Sequence, residues 1–132
     1  MNEANSNNLL ESFPRLYRKG GMFWGFECGD GWHRIIYDLS DAVEASARHR
    51  GVNPDSDQWP LVQQVKEKFG GLRFYLWNAN EEMGKLVEEA EGQSLRTCEQ
   101  CGQAGRVRDG SWVHTLCDRC ERQRAKPDQV RS

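Results

Sequence analysis

Apolar residues recur with a helical period between positions 31 and 49. Spacings of three and four positions put them on one side of a helix: Trp32, Ile35, Ile36, Leu39, Val43 and Ala47. Asp30 stands where a capping side chain is favoured, and Gly51 stands where helices commonly end. The pattern therefore predicts an amphipathic helix over 31–49 with Asp30 as its N-cap, followed by a loop at 53–57.

The segment 61–77, LVQQVKEKFGGLRFYLW, fits two structures. A hairpin turn at Gly70-Gly71 would join strands 61–69 and 72–77, whereas Pro60 could instead begin a short helix that Gly70 ends. The apolar spacing of 61–69 also suits a helix, so both stay open, and the hairpin is the structure we expect. Residues 72–77 are a strand under either interpretation.

In the hairpin, side chains alternate between two faces. The face expected to be buried carries Val65, Phe69, Leu72, Phe74 and Leu76. The opposite face carries Lys66, Lys68, Arg73, Tyr75 and Trp77. Cations interleaved with aromatic rings suit a phosphate and a stacked base. The alternative is a solvated strand face whose long side chains cover the rings.

A further helix is predicted over 80–93, with Asn80 as its cap and acidic residues in its first turn. Its apolar stripe consists of Met83, Leu86, Val87 and Ala90. At the other end of the chain, residues 9–17 suit a short helix or turn, and the polar residues 1–10 are expected to form a disordered tail.

The cysteines carry the strongest chemical signal. Cys98 and Cys101 form one C-x-x-C pair, and Cys117 and Cys120 form a second after fifteen intervening residues. This spacing is typical of zinc sites, in which two knuckles close a tetrahedron of thiolates around one ion. Two disulfides or a redox dithiol are the alternatives. Four cysteines leave no open position for water, so the sequence predicts a structural Zn²⁺.

The residues between the two cysteine pairs support a metal unit. Asp109-Gly110 lies between β-prone flanks and predicts a two-residue hairpin turn. The second pair opens a run that suits a helix over 118–126, with Pro127 as its end. Knuckle, hairpin and helix make a treble-clef-like arrangement. The predicted fold class is thus α+β, a small helix and hairpin body with a C-terminal four-cysteine zinc unit.

Composition and charge restrict the function classes. Mean hydropathy is −0.84 and the pI is about 5.9, which argues against a general nucleic-acid binder. Residues 1–93 hold 10 basic and 15 acidic side chains, whereas residues 94–132 hold 8 and 5. Because the C-terminal segment is basic, an alternative to nucleotide binding is an adaptor that binds a host protein or nucleic acid. The arginines of this segment would make the contact: Arg106, Arg108, Arg119, Arg122 and Arg124. The absence of an apolar run of about 18 residues predicts a cytoplasmic protein that does not enter a membrane.

The octapeptide GFECGDGW at 25–32 suits either a tight corner or an anion site. Glycines permit close approach, and a helix start can hold an anion. An Asp at the cap opposes an anion, so the corner is the expected role. As ligand residues this segment offers Gly29, Asp30, Gly31 and Trp32. A phosphodiesterase using Glu27, Asp30 and His33, with Cys28, is the enzymatic alternative, and an enzyme is the less expected class.

Four segments together resemble a group of small, largely uncharacterised proteins of phages, prophages and bacteria: GFECGDGW at 25–32, QVKEKFGGLRFY at 64–75, CEQC at 98–101 and TLCDRC at 115–120. The similarity spans about residues 13–122. It implies a phage-linked accessory protein with a zinc unit, and it brings no catalytic residues. Small phage proteins often oppose host defences by holding a protein or a nucleotide signal, so the resemblance implies an anti-defence role in the bacterial cytoplasm.

The expected organisation is a body over 11–93, a zinc unit over 94–126 and a tail over 127–132. The favoured function is non-enzymatic binding of a small anionic nucleotide. Its expected ligand residues are Lys66, Lys68, Arg73 and Tyr75, joined by the corner of Gly29 to Trp32.

Overall fold

The computed structural model describes residues 1–18 and 23–125 of the chain. These residues form four α-helices and two small sheets: α1 Glu3–Ser12, β1 Phe26–Glu27, α2 His33–His49, β2 Leu61–Lys68, β3 Gly71–Trp77, α3 Glu81–Ser94, β4 Arg106–Arg108, β5 His114–Leu116 and α4 Asp118–Ala125. The predicted α+β class is confirmed. The four paired cysteines lie together in the C-terminal region, as a zinc unit requires.

The larger sheet has the order β1-β2-β3, with β1 parallel and β3 antiparallel to β2. Helices α1, α2 and α3 contribute buried apolar residues to one core together with the inner face of this sheet. Strands β4 and β5 form a separate antiparallel pair. Among the described residues no helix has the length and apolar character needed to cross a membrane.

Helix α2 confirms the predicted amphipathic segment, since its whole apolar stripe is buried. The predicted cap is wrong. A short 3₁₀ helix, Asp30–Trp32, precedes α2, and no side chain caps α2 itself. Because that extra turn moves Asp30 away from the start of α2, its Oδ1 instead accepts hydrogen bonds from Asn2 N (2.7 Å) and Asn5 Nδ2 (3.1 Å).

The disordered tail expected at 1–10 is also wrong, because α1 occupies most of it. Asn2 caps this helix by accepting a hydrogen bond from Asn5 N at 2.8 Å. Leu9 is fully buried in the core, and Asp30 holds the first turn. The polar composition of residues 1–10 predicted disorder, but a few tertiary contacts suffice to order a short helix.

The hairpin over 61–77 is confirmed, but its turn lies one residue earlier than predicted. Lys68 pairs with Gly71, so Phe69 and Gly70 are the central residues, both with positive φ (53° and 83°). Two positive φ angles are the mark of a type I′ turn. Phe69 therefore leaves the buried face on which it was expected, and its side chain is 72% exposed. A bulge after Val62 lets that residue join the buried face instead.

Helix α3 confirms the predicted segment and its Asn80 cap, which accepts from Met83 N at 2.8 Å. The helix also covers the outer edge of β3. Leu72 N donates to Ser94 Oγ at 2.9 Å and Phe74 N donates to Glu91 Oε2 at 3.3 Å. Because an uncovered strand edge invites pairing with another chain, these contacts protect the sheet on that side.

In the C-terminal unit the hairpin is present, and the two-residue turn predicted at Asp109-Gly110 is wrong. Arg108 pairs with His114, which leaves a five-residue loop over 109–113. This register is fixed by Arg108, whose guanidinium bonds to the carbonyl of Leu116. Helix α4 follows as predicted, whereas its expected end at Pro127 and the tail 127–132 lie outside the described residues.

Candidate metal centre and open sheet face

The four cysteines form one compact cluster. Cys98 and Cys101 lie on a knuckle closed by the bridge between Thr97 and Ala104, Cys117 precedes α4, and Cys120 lies in its first turn. Their Sγ atoms all lie within 4.8 Å of one another, and the Cys101 and Cys117 sulfurs are 3.6 Å apart. Thiolates that surround Zn²⁺ at about 2.3 Å stand roughly 3.8 Å apart. The cluster is therefore positioned to bind a metal ion, and none of its thiols is paired in a disulfide.

The electrostatics of the cluster favour a bound cation. The backbone N–H of Cys120 donates to Cys117 Sγ at 3.4 Å and lowers the pKa of Cys117 to about 6. Burial raises the pKa of Cys120 to about 12. Four sulfurs this close cannot all be thiolates unless a positive ion balances them, and a metal supplies that charge.

The largely buried side chain of Arg108 stabilises the metal unit. The Arg108 side chain is only 10% exposed; its Nε and Nη2 donate to the Leu116 carbonyl at 3.1 and 3.0 Å, and Nη2 also reaches Asp118 Oδ1 at 2.7 Å. The same guanidinium lowers the pKa of Asp118. Arg124 is likewise paired, with Glu121 at 2.7 Å. Two of the five arginines predicted to grip a partner thus serve the unit itself.

The octapeptide 25–32 is the platform on which the first knuckle rests. Gly31 N donates to the Glu99 carbonyl at 2.7 Å, and Gly29 N donates to Glu99 Oε2 at 2.9 Å. The buried indole of Trp32 donates to the Thr97 carbonyl at 2.9 Å. A Cβ atom at either glycine would overlap the backbone of Cys98 or Glu99. The glycines are therefore needed for close approach of two backbones.

This contact is the tight corner that the octapeptide was expected to form, and it occupies backbone donors that an anion would need. The N–H groups of Gly29 and Gly31 are already engaged by Glu99, Asp30 accepts from α1, and Trp32 is fully buried. In the anion site that the sequence offered as the alternative, Gly29 N already donates to an anionic group of the chain itself, the Glu99 carboxylate. Sequence reasoning missed Glu99 because the variable positions of a C-x-x-C pair carry no signal of their own.

A second junction joins the metal unit to the main hairpin. Thr115, which is fully buried, donates through Oγ1 to the Gly70 carbonyl at 2.6 Å, and its own carbonyl accepts from Glu99 N at 2.9 Å. The turn of β2 and β3, strand β5 and the first knuckle are thereby connected. His114, next to Thr115, stacks on Trp112 with ring centroids 5.2 Å apart.

The outer face of β2 and β3 brings together the four predicted binding residues. Lys66 lies directly opposite Arg73, and Gln64 opposite Tyr75. Lys66 Nζ stands 5.9 Å from the Tyr75 ring centroid, and Lys68 Nζ stands 5.7 Å from that of Phe69. Among the described residues, the ion pairs involve none of these three cations. This open face is thus a surface of half-exposed cations and exposed aromatic rings, on which the Arg73 guanidinium donates to the Leu72 carbonyl at 3.1 Å.

The residues of the hydrolase alternative divide between the sheet face and the contact with α1. Glu27 points to the open face of the sheet, because it lies in register with Lys66. Asp30 holds α1, and His33 Nε2 bonds to Asn8 Oδ1 at 2.9 Å. Burial raises the pKa of Cys28 to about 12, so its thiol is a weak nucleophile.

The fold and the site define a two-layer α+β body clamped to a four-cysteine, treble-clef-like metal unit. Comparisons of the chain with family models, with curated proteins and with solved structures found no match. The function is therefore inferred from the sequence and the geometry of this chain.

Proposed function

We propose that this protein is a non-enzymatic nucleotide-binding module whose binding surface is the outer face of β2 and β3. The observation that carries the proposal is the cross-strand pair of Lys66 and Arg73. Like charges directly opposite each other weaken a sheet. Glu27 lies in register with Lys66 on β1, and no ion pair joins the two. A phosphate between the two cations would replace their repulsion by two charge-assisted contacts.

Tyr75 supplies the second half of a nucleotide site. Tyr75 is 41% exposed and lies on the same face as both cations, two residues from Arg73 on β3 and diagonally across from Lys66 on β2. A base can stack on such a ring whatever its sequence identity, because every base has a π face. Lys66 Nζ stands over this ring, 5.9 Å from its centroid, so the cation and the aromatic ring of the proposed site are neighbours. Phosphate and base recognition thus fall on one continuous surface.

The four-cysteine centre has a separate role in this proposal, as the holder of one structural Zn²⁺. Soft thiolate donors in a tetrahedral set select zinc or iron, and the closed set leaves no position at which water could be activated. Zinc bound there would order residues 97–120, which contain few apolar side chains. A reducing compartment such as the bacterial cytoplasm would keep the thiols available.

The resemblance to phage-encoded proteins suggests a biological setting. A module that holds a nucleotide without chemistry would sequester a host defence signal, and this anti-defence role rests on the sequence motifs alone. A protein in this role needs to bind its nucleotide tightly and to leave it chemically unchanged.

Calorimetric titration with mononucleotides and cyclic dinucleotides tests the binding proposal. We expect at least one nucleotide to bind, and we expect Arg73→Ala or Lys66→Ala to weaken it about tenfold or more, since each removes a charge-assisted contact. Lys85→Ala is the matched control, because Lys85 is an exposed cation on α3, away from the sheet face. Binding that survives Arg73→Ala unchanged, or the absence of binding by every nucleotide, would contradict the proposal.

A further inference from the structure

Large aromatic side chains are exposed on and beside the open face, although the fold does not need them there. Tyr75 and Trp77 are 41% and 56% exposed, and Trp24 is 77% exposed. By contrast, the tryptophans that serve the core, Trp32 and Trp59, are at most 1% exposed. Exposed aromatic rings that gather at one surface indicate binding rather than packing.

These rings form one connected surface. Trp24, Gln63, Gln64 and Tyr75 line a depression of about 250 Å³. Tyr75 and Trp77 point to the same side of β3, and residues two apart on a strand are roughly 6.6 Å apart. Stacked nucleotides rise by only about 3.4 Å each, which is roughly half of that distance. The two rings therefore suit neighbouring bases of a strand that is stretched out rather than stacked.

The cations continue the same line toward the turn. Along the outer face, Trp77 and Tyr75 are followed by Arg73 opposite Lys66 and then by Lys68 opposite Gly71. From Trp77 to Gly71 this face is about 20 Å long. A mononucleotide would contact one ring and one pair of cations, which would leave most of the surface unused.

We propose that the ligand of this face is a short single strand of nucleic acid, extended along β3 with its bases on Trp24, Tyr75 and Trp77 and its phosphates along Arg73, Lys66 and Lys68. The inference rests on the proposed nucleotide-binding function and names its ligand class. The length of the surface corresponds to about four nucleotides. A duplex is excluded as a ligand because its base faces are hidden by stacking within the helix.

Fluorescence anisotropy with a labelled oligonucleotide tests the inference, with unlabelled strands of one, two, four and eight nucleotides as competitors. We expect affinity to rise with length up to about four nucleotides. We expect a slope of log K against log salt near −2, because three cations contact a single strand. A duplex of the same sequence should compete poorly.

Single substitutions assign the surface. Trp77→Ala and Trp24→Ala should each weaken the eight-nucleotide strand by about fivefold or more and leave mononucleotide binding unchanged, whereas Tyr75→Ala should weaken both. Trp112→Ala is the matched control, because Trp112 is 66% exposed in the loop between β4 and β5. Circular dichroism checks that each variant is folded.

The outcomes separate this inference from the function on which it rests. A mononucleotide that competes as well as eight nucleotides would overturn the inference and leave nucleotide binding standing. An affinity for the eight-nucleotide strand that is unchanged by Trp24→Ala and Trp77→Ala would also overturn it. If neither mononucleotides nor strands bind, both proposals fail, and the aromatic face belongs to a partner of another class, such as a protein.

Discussion

At the scale of single residues, Gly31 shows how a glycine in the octapeptide serves the fold. Its N–H donates to Glu99, and a Cβ atom there would overlap the carbonyl oxygen of Cys98. The obstacle is backbone held by the metal knuckle, which cannot move aside as a flexible side chain can. Position 31 therefore requires glycine for a steric reason.

Gly31→Ala should destabilise the protein by about 2 kcal/mol or more, since relief of the overlap must separate the corner from the knuckle. Urea denaturation measures the change. Gly84→Ala is the matched control: that glycine lies within α3 with no atom close to its added Cβ, so the helix should gain up to about 1 kcal/mol. Equal effects of the two substitutions would contradict the steric account.

Glu44 predicts a pH dependence. Burial raises the pKa of its carboxyl, although Trp59 Nε1 donates to it at 3.1 Å. A carboxyl with a higher pKa when folded than when unfolded costs stability as pH rises above about 4.5. Glu44→Gln keeps an acceptor for Trp59 without the charge. The variant should match the wild type near pH 4 and be more stable near pH 7.

Urea denaturation at the two pH values measures this difference, with Glu88→Gln as an exposed control on α3. An advantage of the Gln variant that shrinks as the pH rises from 4 to 7 would show that the charged form of Glu44 is the favoured one, against the prediction.

At the scale of elements, the turn between β2 and β3 carries strain at Phe69. The residue has φ 53° and a side chain that is mostly exposed, so little packing offsets the unfavourable backbone. Type I′ turns favour Asn followed by Gly, and here Gly70 already follows. Phe69→Asn should therefore stabilise the protein by roughly 0.5–1 kcal/mol, measured as a rise in Tm. A fall in Tm would show that the Phe69 ring contributes packing that its exposure does not reveal.

The elements also show what the sequence can predict. The period of apolar residues was sufficient to predict α2 and α3. Alternation of side chains predicted the hairpin and its cationic face, and the spacing of the cysteines predicted the metal centre. The turn position was missed because Phe is unfavourable at positive φ, so local preference pointed to Gly70-Gly71. The role of Glu99 was missed because its contact with Gly29 joins residues 70 positions apart. No local pattern records such a contact.

At the scale of the whole molecule, the metal unit and the body are coupled through Glu99 and Thr115. The contacts to Gly29, Gly31 and Gly70 join elements that are distant in sequence, and they depend on the order of the knuckle and β5. A bound ion would hold that order. Loss of the metal should therefore weaken the body as well as the unit.

Treatment with a strong chelator should lower the Tm by about 10 °C or more, because contacts worth roughly 3 kcal/mol between unit and body are lost with the unit. Amide hydrogen exchange locates the effect: the N–H groups of Gly29 and Gly31 should lose protection, while the centre of α2 stays protected. A body that melts at the same temperature with and without metal would contradict the coupling.

The central claim is that four thiolates hold one zinc ion in a closed site. X-ray absorption at the zinc edge, with metal analysis of the same purified sample, tests it most directly. The account predicts one zinc per chain with four sulfur neighbours at about 2.3 Å. Nitrogen or oxygen among the neighbours, or a metal-free protein with its cysteines joined in disulfides, would contradict it.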